Sequence, residues 1–131
     1  MDRPQLTLLL FDGCLAVCRL PSNNVVPAWA FAKGPLSSIT RSEKELSIIC
    51  GEMAVPAGVK CERGWRVMKV ENPLNFALTG ILVALAAPLA DAGVSIFTVS
   101  TFDSQYLMVK EASIELALKI LVNAGHEIQA R

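Results

Sequence analysis

At 131 residues the chain is one ordinary domain or two very small ones, which excludes a long multidomain enzyme. Hydrophobic residues make up 53% and charged residues 18%, so there is apolar material for a core and no compositional signature of disorder. Twelve basic residues balance twelve acidic ones, so no electrostatic excess draws the chain to nucleic acid or an anionic membrane, and neither is an expected partner.

Gln5–Leu10 reads as a short strand, and the apolar run 6–11 is too brief for the h-region of a secretion signal. Asp12-Gly13 is a turn pair and Cys14–Leu20 continues as an apolar strand, which predicts a hairpin. Four cysteines stand at 14, 18, 50 and 61 with no Cys-x-x-Cys pair and none beside the single histidine, His126. That pattern argues against zinc and thioredoxin-like chemistry; no metal and no cofactor are expected. Cys14 and Cys18 share a strand face as small hydrophobes, and reduced core thiols fit a cytoplasmic protein. Pro21-Ser22-Asn23-Asn24 breaks the chain, Pro27 opens a short helix over Ala28–Lys33, and Gly34-Pro35 stops it. Leu36–Arg41 and Glu45–Cys50 are strands flanking the polar turn Ser42-Glu43-Lys44. Residues 51–64, with Pro56, Gly58 and Gly64, read as an irregular connection containing one helical turn.

Trp65–Val70 is the next strand, ended by Asn72-Pro73. From Leu78, Ile81, Leu82, Leu85 and Leu89 recur at helix spacing, Ala84, Ala86, Ala87 and Ala90 keep the other faces small, and Gly93 supplies the stop. The longest apolar run, 76–90, holds Thr79, Gly80 and Pro88 and falls short of the roughly 20 residues a bilayer requires, so it reads as a buried helix. Val94–Thr101 is β-branched and Phe102-Asp103-Ser104 turns, after which Tyr106–Val109 returns as the partner strand. A second helix over Glu111–Ala124 puts Ile114, Ala117, Leu118 and Leu121 on one face. Gly125 caps it, and His126–Ala130 is an edge strand, with His126 placed as a partner of the helix C-terminal dipole.

From Trp65 onward the order is β-α-β-β-α-β, the split arrangement of ferredoxin-like units. Sliding the chain on itself by 60 residues sets 39–49 on 99–109, strand on strand and turn on turn, with an acid, Glu43 or Asp103, in each turn. The expectation is an α+β fold of two tandem units with antiparallel sheets and helices on one face. Residues 1–62 form the first, with a shortened helix, and 63–131 the second.

Several segments carry a family resemblance: Ser38-Ile39-Thr40-Arg41, Glu45–Cys50, Gly64-Trp65, Leu78–Leu82, Pro88–Phe97 and Ser100-Thr101-Phe102-Asp103. Together they resemble the small bacterial proteins built from two ACT-like domains and the ACT domains of the CASTOR-type arginine sensors. The resemblance covers residues 14 to 126 and is most specific from Trp65 to Val109. It implies a regulatory small-molecule site, usually for an amino acid, at an interface between two units packed side by side, and no catalysis.

The residues themselves support a binding site. A glycine at a helix start lets a ligand approach backbone N–H groups at the positive end of the dipole, which suits a carboxylate. That points to Thr79, Gly80 and Ile81, although Gly80 also reads as a close-packing residue and Asn75 as a helix N-cap. The resemblance adds Ser95 and Ile96 of a neighbouring unit, and then Thr101, Phe102, Asp103 and Gln105 of the hairpin. Asp103 also reads as a plain turn former, and Trp29 and Trp65 as core or interface packing. Many ACT relatives carry an acid where Gln105 stands, so the resemblance implies a neutral polar or small apolar amino acid rather than arginine or lysine.

A homodimer is expected, because each four-stranded sheet would leave one face and its edges uncovered. The alternative is an assembly module that binds no ligand. An enzyme with a cysteine nucleophile and His126 as base would need those groups together in space.

Overall fold

The computed structural model describes residues 4–71 and 78–130, and the chain divides into two units. Its strands are β1 (Thr7–Leu10), β2 (Leu15–Leu20), β3 (Ser38–Arg41), β4 (Leu46–Gly51), β5 (Lys60–Val70), β6 (Ile96–Ser100), β7 (Gln105–Lys110) and β8 (Glu127–Ala130). Its helices are α1 (Leu78–Asp91) and α2 (Ile114–Asn123), with 3₁₀ turns at Ala28–Phe31, Glu52–Ala54 and Glu111–Ser113. The fold is α+β.

Gly13–Trp65 forms an inserted unit. Its strands run β3-β4-β2-β5 with antiparallel neighbours. Alternate residues of β2 and β4, Ala16 and Cys18 with Leu46, Ile48 and Cys50, build a core closed by Ala30 and Val55. The predicted helix at 28–33 is only the 3₁₀ turn Ala28–Phe31, since Pro27 and the Gly34-Pro35 pair leave just six residues between breakers. Two stretches read as loop or turn are strand: β5 begins at Lys60, and Gly51 extends β4. Gly64, at φ +82°, marks the irregularity that hid β5, and the β2–β5 register shifts between Leu15 and Val17.

Met1–Asp12 and Arg66–Arg131 make the split unit. Its strands run β6-β7-β5-β1-β8, with β1 antiparallel to β5 and parallel to β8. This overturns the hairpin predicted for the first two strands. Leu8, Leu9 and Leu10 pair with Val70, Lys69 and Met68, so residues 1–12 fold with the second half of the chain and not with 13–62. A Asp-Gly turn between two apolar runs reads as a local hairpin, whereas the partners of β1 lie about 60 and 120 residues away. The core gathers Leu6 just before β1 and Leu8 in it, Met68 and Val70 from β5, Leu107 and Val109 from β7, Ile81, Ala84, Leu85 and Leu89 from α1, and Ala117 and Leu121 from α2.

Both long helices end as the glycines predicted. Gly93 donates to the Ala90 carbonyl and Val94 to that of Leu89; Gly125 donates to Val122 and His126 to Leu121. At φ +76° and +99° these are two Schellman caps, a conformation open to glycine at little steric cost. The second helix starts later than predicted, because Glu111–Ser113 winds as 3₁₀ before α2 begins. His126 is not a surface partner of the helix dipole: at 4% exposure it sits in the core, its Nδ1 accepting the Leu6 N–H at 3.0 Å.

The internal repeat is real at hairpin scale but its offset is 59, not 60. Leu46 falls on Gln105 and Gly51 on Lys110, with the same burial order along β4 and β7. Ser42 N–H donates to the Glu45 carbonyl at 2.8 Å and Thr101 N–H to that of Ser104 at 2.8 Å. Each turn is then followed, after its strand, by a 3₁₀ turn opening on an acid, Glu52 or Glu111. A one-residue slip exchanges the faces of a strand, so the two acids aligned from sequence, Glu43 and Asp103, are not equivalent.

Candidate functional site

All nine residues singled out from sequence lie in the split unit. Thr79 is exposed and Gly80 half-buried in the first turn of α1, a 14-residue helix without an acidic residue at its start. Among the described residues, a Cβ placed on Gly80 meets only Pro4 Cδ, at 4.0 Å, and the residue has no positive φ. Close packing against the described residues therefore does not require the glycine. Ile81 is different: at 3% exposure its side chain belongs to the core, leaving only its main chain for a ligand. Asn75 lies outside the described residues, so its capping role is not assigned.

The hairpin supplies Thr101, Phe102, Asp103 and Gln105. Thr101 Oγ1 accepts the Ser104 N–H at 3.0 Å, which closes the turn and leaves Phe102 and Asp103 at its exposed tip. Gln105, by contrast, is 2% exposed. Its Oε1 accepts the Ser100 hydroxyl at 2.5 Å and its Nε2 donates to the Tyr106 carbonyl at 3.3 Å. Asp103 and Gln105 thus do not present a shared face: one is in the turn, the other is buried at the strand start. Ser100, which the sequence reading did not single out for the site, stands directly opposite Gln105 in the hairpin register.

Ser95 is exposed and Ile96 partly packed on the core. They follow the end of α1, whose 14 residues span about 21 Å, so they stand at the far end of the helix from Thr79 and Gly80. Ile96 pairs with Val109 and Ser100 with Gln105, so they also stand at the far end of the hairpin from its turn. One unit does not bring the predicted set together.

Two of the four cysteines, Cys18 and Cys50, are poorly placed to act as nucleophiles. All four cysteines are thiols. Cys18 lies opposite Cys61 across β2 and β5, and burial, with the neighbouring Cys50 and Cys61, pushes its thiol up to about 12. Burial also raises that of Cys50. Such thiols are poor nucleophiles at neutral pH. Both His126 nitrogens are engaged by backbone groups. No group of three metal-binding side chains occurs among the described residues, and no helix there is long and apolar enough to cross a membrane.

The family model for the ACT domain matches residues 60–123, and a second, described as an N-terminal domain, matches 13–58. A crystal structure of an Agrobacterium tumefaciens protein shares 37% identity at a TM-score of 0.91, covering 98% of this chain and 95% of that one. The chain belongs to the ACT domain family. It is similar to the cytosolic arginine sensor for mTORC1 subunit 1 of Rattus norvegicus, with 27% identity over 104 residues, 77% of this chain. The chain spans only 30% of that relative's length. At the level of fold alone it resembles Escherichia coli aspartokinase III solved with aspartate and ADP, with TM-score 0.63, 15% identity, and coverage of 95% of this chain and 34% of that one. The two family matches meet between residues 58 and 60, close to the boundary of the inserted unit at Trp65.

Proposed function

We propose that this ACT-family chain is a regulatory module that senses a small amino acid. Its carboxylate meets the backbone at Thr79 and Gly80, and the Thr101–Asp103 turn lies over it. The carrying observation is Gly80: a glycine in the first turn of α1 with, among the described residues, one atom, 4.0 Å away, near where a Cβ would stand. Helix N-termini favour anions, and no acidic residue in the first turn of α1 competes for the position.

The ligand is a neutral polar or small apolar amino acid, because the amide at 105 supplies no charge to pair with a cationic side chain. Ser95 and Ile96, held away from the other candidates within one unit, serve the site of a neighbouring ACT unit, in keeping with a cytoplasmic homodimer. In this reading the chain is two tandem ACT-like units, Gly13–Trp65 being a degenerate one whose helices are reduced to 3₁₀ turns, and the module is not an enzyme. A second reading, assembly without a ligand, draws on the complete exposure of Phe102 at the hairpin tip.

A thermal-shift screen against the twenty amino acids tests the proposal. A ligand of the folded state raises the melting temperature by mass action, and Gly80→Val, which the space at that position tolerates, keeps the fold and abolishes the shift. A flat response to every amino acid favours the assembly reading.

A further inference from the structure

Helix α1 contains Pro88, which has no N–H, so the carbonyl of Ala84 one turn earlier loses the donor that an ordinary residue at 88 gives it. That carbonyl is deep in the core, where Ala84 is 2% exposed. An unpaired buried acceptor there is costly. The structure fills the gap from outside the helix: His126 Nε2 lies 3.0 Å from the Ala84 oxygen. The same ring accepts the Leu6 N–H at Nδ1, 3.0 Å away. A nitrogen that accepts a backbone N–H carries no proton, so Nε2 is the donor and the roles are unambiguous.

We propose that His126 is the substitute donor that Pro88 makes necessary, and that as the Nε2–H tautomer it positions α1 against the entry to β1. Three strands of evidence meet on this ring. His126 is anchored by its own N–H to the Leu121 carbonyl in the cap of α2. Leu6, whose N–H it receives, is also held through its carbonyl by the Glu127 N–H, so the ring sits at the seam of β1 and β8. The segment of α1 ahead of the missing bond, Leu78–Ala84, bears Thr79 and Gly80. The charged groups on the adjoining elements, Asp91 on α1, Glu115 and Lys119 on α2 and Glu127 beside β8, are all exposed, and residues 4–10 carry none, so backbone groups alone set the ring's orientation. The consequence for ligand binding rests on the reading of Thr79 and Gly80 given above; the helix-positioning role does not.

The experiment is a four-variant cycle on the full chain combined with nitrogen-15 spectra of the imidazole. His126→Leu lowers the denaturation midpoint by roughly 5–10 °C, the scale that two lost buried hydrogen bonds give a chain of this size. Pro88→Ala restores the helical donor, so it recovers a larger part of the midpoint in the His126→Leu background than it adds to the wild type. His126→Gln, which keeps one acceptor and one donor, retains more stability than His126→Leu and keeps the protein foldable if the leucine variant is not. The backbone amide resonances of Thr79 to Leu82 move in His126→Leu and return in the double variant, a readout that needs no ligand. Equal effects of Pro88→Ala in the two backgrounds, a protonated Nδ1 in the wild type, or unmoved amides at 79–82 would each overturn the proposal. If the cycle succeeds and no amino acid binds, it is the sensing function that fails, not the positioning role of His126.

Discussion

The two units share a hairpin and differ in what covers it. In the inserted unit the core beside β4 is closed by Ala30 of a four-residue 3₁₀ turn and by Val55; in the split unit the core beside β7 is closed by helices of 14 and 10 residues. At the hairpin itself the 59-residue offset holds residue by residue, yet Leu46 and Arg41 of the first stand where Gln105 and Ser100 stand in the second. Arg41 is spent on the loop before it, donating to the carbonyls of Ser22 and Asn24. Ser100 and Gln105 form a polar pair at the same place, next to an open turn. The split unit has a helix and a polar hairpin base where the inserted unit has a 3₁₀ turn and the Arg41–Leu46 pair, which is why the proposed effector site is assigned to the split unit.

The largest effect that sharpens this contrast comes from the matched core positions Leu107 and Ile48, both 0% exposed. Either residue changed to alanine costs about 2–5 kcal/mol in chemical denaturation. Leu107→Ala is the more damaging, because two packed helices collapse onto a cavity less readily than 3₁₀ turns do. A larger loss at Ile48 would break the comparison.

Much of the architecture was legible because it is written in local chemistry. The period of Ile81, Leu85 and Leu89 and the stops at Gly93 and Gly125 follow from helix geometry alone, and both capping glycines adopt the expected positive φ. What was not legible depends on distant partners. Leu8 pairs across more than 60 residues with Val70, which no neighbouring residue signals. The hairpin offset was misread by one because polar turns align almost equally well in either register, and only the buried face of β4 and β7 decides it. Of the candidate site, the place of Gly80 in the first turn of α1 could be foreseen from helix spacing. The burial of Gln105 could not, since an amide at a strand start gives no sign that a serine opposite will bind it.

The thiols separate the units by pH. With the Cys18 thiol pushed up to about 12 from an ordinary 9.0, the folded state holds its proton more tightly than the unfolded chain does. Stability from this group is complete below pH 9 and is lost as pH rises toward 12, by at most about 1.4 kcal/mol per pH unit. Denaturation followed from pH 8 to 11 shows this decline, and Cys18→Ala, though less stable at pH 8, shows a shallower one. An equal slope in both proteins contradicts the assignment.

A smaller effect distinguishes the hairpin bases. Gln105→Leu imports the residue of the inserted unit and removes a buried amide whose partners are Ser100 and a main-chain carbonyl. Stability changes by less than about 1 kcal/mol, because Ser100 is exposed and its hydroxyl, left by the amide, finds water instead of standing buried and unpaired. Gln105→Asp, by contrast, places a carboxylate at a position 2% exposed and is the more destabilising of the two. Smallest of all is Arg19→Ala, which removes the 2.7 Å ion pair to Glu45 between side chains 49% and 39% exposed. Its cost is below about 1 kcal/mol and shrinks further in salt.

The central claim is that an amino acid binds the split unit and leaves the inserted unit untouched, and the most direct measurement is a titration of nitrogen-15-labelled chain with the amino acid that gives the largest thermal shift. The account predicts saturable amide shifts at Thr79, Gly80 and the Thr101–Asp103 turn, with Ser42 to Leu46 of the matching hairpin unmoved. Shifts concentrated at Ser42 to Leu46, or a saturating titration that leaves Thr79 and Gly80 in place, would contradict it.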